Sequence, residues 1–154
     1  MKAKTILLTL AFCCAGAVVC LAQDQNIGTW KLNEAKSKIS RGAPRNTTVI
    51  YEAAGDSVNV KIDGVDSNGK PTHNEWTGKY DGKDYPVTGD PNSDARSLTK
   101  IDNRTLGFNV KKDGKTTISG RIVVAPDGKS RTVTTSGIDA TGKKVSSTAV
   151  YDKQ

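Results

Sequence analysis

The stretch Thr105–Val124, TLGFNVKKDGKTTISGRIVV, decides the fold. Leu106, Phe108 and Val110 alternate with Thr105, Asn109 and Lys111. After Asp113-Gly114-Lys115, Ile118, Gly120, Ile122 and Val124 alternate with Thr117, Ser119, Arg121 and Val123. A two-residue period with one apolar face predicts antiparallel strands, one side packed and the other wet. Asp-Gly supplies the positive φ values of a tight hairpin turn, so the stretch reads as two strands and a turn.

The same grammar extends in both directions. Val58, Val60 and Ile62 oppose Ser57, Asn59 and Lys61, while Trp76, Gly78 and Tyr80 oppose Glu75, Thr77 and Lys79. Weaker strands are expected over Thr47–Ala53, Arg96–Ile101, Arg131–Ile138 and Val145–Tyr151, and another over Thr29–Leu32. Ala54-Gly55-Asp56, Asn68-Gly69-Lys70, Asp81-Gly82-Lys83, Asp102-Asn103, Asp127-Gly128-Lys129 and Thr141-Gly142-Lys143 punctuate them. Helix is confined to one candidate, Asn33–Ile39, with Asn33 as its cap. Tyr85–Asp94, with Pro86, Gly89 and Pro91, reads as a long loop around at most a short strand at Val87. Gly78, Gly107 and Gly120 fall inside strand patterns, where glycine marks bends and bulges.

Evenly spaced short strands with turns between them predict an all-β sandwich or barrel, and because closure removes exposed edges the expected fold class is all-β, a single antiparallel up-and-down β-barrel of about 8–10 strands. The 154 residues suffice for one domain. With 15 Gly and 5 Pro the chain is neither collagen-like nor a Pro-rich disordered segment. The inward faces hold few large side chains, which suits either a narrow filled barrel or one with a cavity.

Residues 1–22 read as a signal peptide. Lys2 and Lys4 form a basic start, Ile6–Val19 carries no charge, and Cys20-Leu21-Ala22 precedes a polar stretch. The apolar run is short for a membrane span of about 20 residues. Cleavage after Ala22 leaves a barrel domain over residues 23–154, secreted or periplasmic, monomeric and not stably inserted in a membrane. It also removes Cys13, Cys14 and Cys20, so disulfides and thiol chemistry go with the leader. Lipidation at Cys20 is disfavoured because Val19 precedes it instead of a small residue.

Near the expected mature start stands Gly28-Thr29-Trp30. This resembles the first strand of lipocalin-like (calycin-type) barrels. The resemblance implies that Trp30 closes the barrel floor and that a late-strand arginine, Arg121 or Arg131, packs across its ring. Lys36-Ser37-Lys38, Tyr80–Gly89 and Val150–Gln154 are also similar to segments of small exported bacterial proteins with no assigned activity.

Catalytic and metal constellations are sparse. The single histidine, His73, shares a strand side with Glu75. Four-ligand zinc binding would need more histidines or cysteines than the mature chain carries. Asp63, Asp66 and Asn68 lack the spacing and the final Glu of an EF-hand, and read as a hairpin loop. Asp81 and Asp84 flank a turn, and no serine-nucleophile elbow, phosphate loop or dinucleotide fingerprint is present. The formal charge of +7, from 23 Lys+Arg and 16 Asp+Glu, is dispersed and not interleaved with aromatics, which argues against nucleic-acid binding. The expectation is a non-enzymatic binding protein with no cofactor, no metal and no catalytic residues. Its partner is a small hydrophobic or amphipathic ligand, held by Trp76, Tyr80, Leu106, Phe108, Ile118 and Ile122. The alternative is a filled barrel that acts through its surface as an envelope interaction or stress protein.

Overall fold

The computed structural model describes residues 24–41, 43–138 and 142–154. The expected leader and its three cysteines lie outside the described residues, as does Thr141 of the last turn signal. Ten strands form one closed antiparallel barrel: β1 (Gly28–Leu32), β2 (Arg45–Ala54), β3 (Ser57–Val65), β4 (Pro71–Gly78), β5 (Tyr85–Thr88), β6 (Ala95–Lys100), β7 (Thr105–Lys112), β8 (Lys115–Val124), β9 (Ser130–Ile138) and β10 (Lys144–Lys153). Each strand pairs with its neighbours in sequence, and β1 pairs with β10 to close the ring. At that seam Trp30 stands opposite Lys153 and Leu32 opposite Tyr151.

The deciding stretch forms β7 and β8. Asp113 and Gly114 have φ of 50° and 73°, the doubly left-handed pair that matches the twist of a two-residue hairpin. Asn33–Ile39 yields only a single 3-10 turn at Glu34–Lys36, with the Asn33 side chain accepting from the Lys36 N–H. Tyr85–Asp94 contributes a tenth strand, β5, of four residues. It is short because Pro86 has no N–H to give and the chain turns away at Gly89.

Inward glycines make room for rings. A Cβ on Gly120 would come within 2.5 Å of the Phe108 ring, and one on Gly78 within 2.6 Å of Tyr85. Tyr85 meets Trp76 edge-on, with ring centroids 6.1 Å apart. Gly107 points the other way and lies under Ile101 on the outer wall. The core runs from Trp30, Val49 and Tyr51 through Val60, Trp76 and Leu98 to Leu106, Ile122 and Tyr151.

Candidate functional site

The two ends of the barrel are built differently. At one end, the floor, Trp30 is fully buried and its indole N–H donates to the Asn26 carbonyl at 2.7 Å. Arg131, 2% exposed, lays its guanidinium over three rings, 4.6 Å from the centroid of Trp30, 4.9 Å from Tyr51 and 5.2 Å from Tyr151. Of the two candidate arginines, Arg131 is therefore the one on Trp30, while Arg121 is exposed. Burial pushes the Arg131 guanidinium down from its ordinary range, and Tyr51 and Tyr151 oppose this. Its Nε and Nη1 have no hydrogen-bond partner, so the ring faces supply the compensating negative potential. Burial also pushes the Tyr151 phenol up to about 12, against the lowering influence of Arg131.

The N-terminal turn completes the floor. Tyr80 O–H donates to Asp24 Oδ2 at 2.6 Å, and Lys153 Nζ donates to the Gln25 carbonyl. The Tyr80 phenol is raised far above its usual range, chiefly by burial and then by Asp24.

At the other end, the rim, the inner face follows a single hydrogen-bonding row. Tyr85 stands opposite Arg96, Arg96 opposite Val110, Val110 opposite Ile118, Ile118 opposite Gly137 and Gly137 opposite Val145. Directly opposed residues of antiparallel strands share a face, so this row looks into the barrel with buried Val110. Ile118 is 37% and Val145 45% exposed. Arg96 is half-buried, with Nε sealed from solvent and without a partner; it makes no hydrogen bond or ion pair through its side chain among the described residues. Burial lowers its affinity for the proton, opposed by Tyr51 and Asp90. Buried Asn74, on the inner face two residues from Trp76, likewise has an Oδ1 without a partner. In the next row toward the floor, the Thr135 and Ser147 hydroxyls bond each other at 2.7 Å.

The six side chains expected around a ligand are distributed along the barrel. Leu106 and Ile122 are opposed and fully packed, and Trp76 is buried with its indole N–H on the Arg96 carbonyl at 3.1 Å. Phe108 is partly buried over Gly120. Tyr80 belongs to the floor, and Ile118 alone of the six reaches the rim. Arg96 and Asn74 were not singled out by sequence reasoning. Their signal is a polar residue on the inward beat of an alternating strand, as in Asn74-Glu75-Trp76 and Arg96-Ser97-Leu98. Two solvent-open hollows lie along β8–β9 and at the β9–β10 end, lined by Ser119, Arg121 and Thr134 and by Ser136, Lys144 and Val145 respectively.

His73 sits on the outer wall between two carboxylates, with Nδ1 2.7 Å from Asp63 Oδ1 and Nε2 3.2 Å from Glu75 Oε1. These bonds, Asp63 first, raise its proton affinity. Asp66 Oδ1 accepts from the N–H groups of Asn68 and Lys70, which is turn chemistry.

No family model and no curated protein matches the chain. Among solved structures it is similar to EF1p2_mFAP2b bound to DFHBI, at 12% identity and a TM-score of 0.51, covering 86% of this chain and 97% of that one. It is also similar to a redesigned beta barrel, b11L5F_LGL, at 14% identity and a TM-score of 0.44, covering 88% and 97%. The likeness to the first shows the barrel fold and nothing finer.

Proposed function

We propose that this is an exported, non-enzymatic binding protein whose barrel takes a small amphipathic molecule through its rim. The carrying observation is the contrast along the inner face. The floor packs Trp30, Tyr51, Tyr151 and Arg131 out of solvent, whereas the rim row presents partly exposed Ile118 and Val145 in register with Arg96, whose Nε lacks a partner. Pockets for small molecules combine apolar walls with a few convergent polar groups, and the rim has both. A chain of similar fold is described with DFHBI bound, which supports the reading by analogy. Export rests on the leader pattern of residues 1–22, and monomeric, cofactor-free action on the sparse chemistry of the sequence.

Native mass spectrometry of protein purified from its own periplasm or medium tests this. A co-purifying small molecule is expected, and a bare mass in repeated preparations overturns the reading. The second reading, a filled barrel acting through its outer surface, draws on the solvent-open hollows of the β8–β10 wall. A bare mass together with capture of a macromolecule that is lost on Arg121→Glu would favour it.

A further inference from the structure

The outer wall formed by β7–β10 differs in charge from the wall formed by β2–β4. On β2–β4, Lys61 pairs with Glu52, and His73 lies between Asp63 and Glu75. The strands β7–β10 carry a single carboxylate, Asp152, at the floor end of β10, where Asn33 and Lys36 already hold it. Their outward beat runs in registered rows: Asn109, Ser119, Ser136 and Ser146 in one, then Gly107, Arg121, Thr134 and Thr148 in the next toward the floor. Directly opposed residues share a face. Arg121 is therefore set among small hydroxyl side chains. It is exposed and makes no ion pair or side-chain hydrogen bond among the described residues.

The two solvent-open hollows of this wall meet at Ser136, and one is lined by Arg121, the other by Lys144. Arg121 stands opposite Thr134 and Lys144 opposite Ile138, so the cations are four residues apart along the strands and two strands apart across them. At strand dimensions that is about 13 Å by about 10 Å. Such a separation suits a chain with anionic groups spaced along it better than a single small anion.

We propose that the β7–β10 wall binds an acidic polysaccharide, its anionic groups on Arg121 and Lys144 and its sugar hydroxyls on Thr134, Ser136 and Ser146. The proposal goes beyond rim carriage, which uses the inner face, and names a partner class for the outer-surface reading. The planar guanidinium matches an oxyanion with two parallel N–H donors. Serine and threonine hydroxyls both donate and accept, so they meet sugar hydroxyls in either sense. A single-stranded nucleic acid would call for rings on which bases stack, and Phe108 and Tyr151, the only aromatic residues of these strands, turn inward.

The test measures polygalacturonate, neutral dextran and polyglutamate binding to the full mature chain by biolayer interferometry. Polygalacturonate is expected to bind at least about tenfold more tightly than dextran, as a charge-assisted pair warrants. It should bind at least about threefold more tightly than polyglutamate, as hydroxyl contacts warrant. Added salt should weaken it. Arg121→Gln should remove most of the preference over dextran, whereas Lys61→Gln, which takes the same charge from the β3 face, should change nothing. Thr134→Val combined with Ser136→Ala should erase the preference over polyglutamate. Matched circular dichroism shows that the variants fold. Absent binding of polygalacturonate, or equal binding of dextran or of polyglutamate, overturns the proposal. So does a preference that survives Arg121→Gln or falls as far with Lys61→Gln. Oligothymidylate that binds more tightly than polygalacturonate and is lost with Arg121→Gln assigns the wall to nucleic acid and overturns it too. Every one of these failures leaves rim carriage standing, since native mass spectrometry decides that separately.

Discussion

Floor and rim are made by the same ten strands, yet they solve opposite problems. The floor gathers Trp30, Tyr51, Tyr151 and Arg131 into a dry cluster in which the cation is held by ring faces. The rim places Arg96 in a row with aliphatic side chains, two of them open to solvent, and gives its guanidinium no ion pair among the described residues. Close packing is therefore concentrated at one end, and the other is the end proposed for recognition. A protein can keep an unsatisfied polar group only where the rest of the structure over-determines the fold.

The largest effect should come from breaking the floor. Trp30→Ala removes the ring beneath Arg131 and the N–H bond to Asn26, and should cost about 3–5 kcal/mol in urea unfolding. A loss below about 1 kcal/mol would show that the floor is not where stability resides. A sharper comparison uses two isoleucines of one strand. Ile122 is 5% exposed and Ile118 37%, four residues apart on the same inner face of β8. Ile122→Ala should cost about 2–4 kcal/mol and Ile118→Ala about 1 kcal/mol or less. Equal costs would mean that the rim is as tightly packed as the floor.

The next effect is alkaline. Tyr151 is neutral in the folded chain up to about 12, against an ordinary value of 10.0. Because the folded value is raised, its contribution is fully present below about 10 and is lost as pH climbs through about 12. Unfolding free energy should fall by about 1–2 kcal/mol across that window, and Tyr151→Phe should flatten the fall. Phenolate absorbance that appears at ordinary pH for all four tyrosines would contradict a sealed floor.

The smallest effect lies on the outer wall, which neither end uses. His73 should titrate above 6.5 by proton NMR, and Asp63→Asn should lower its midpoint more than Glu75→Gln. The sign follows from the raised value: any stability from these pairs is complete below 6.5 and fades as pH rises through the folded midpoint. Screening by water keeps it small.

Much of the floor was legible in the chain. Gly28-Thr29-Trp30 marked its ring, the resemblance narrowed its arginine to two, and Asp-Gly and Asn-Gly turns marked most strand boundaries. β5 was largely hidden because Pro86, Gly89 and Pro91 are loop residues by any local rule; it exists because Trp76 and Arg96 offer it partners on both sides. The rim was the least readable part. Alternation reports which face a residue takes but not how high along the axis it sits, so Trp76, Leu106 and Ile122 were grouped with Ile118 although only the last is open. Arg96 carries no motif at all; its interest arises only when Asp90, the carboxylate that acts on it, is seen to accept from Asn92 and Ser93 instead.

The seam between β1 and β10 carries a kinetic consequence. Trp30 lies beside Lys153, and the Gln154 N–H donates to the Thr29 carbonyl at 3.0 Å, so the ring closes only across nearly the whole length of the chain. Such distant pairing is slow to form. A growing polypeptide would remain an open ribbon with two bare edges until β10 arrives. Loss of even the final strand should therefore yield sticky, protease-sensitive material in place of a weakened barrel.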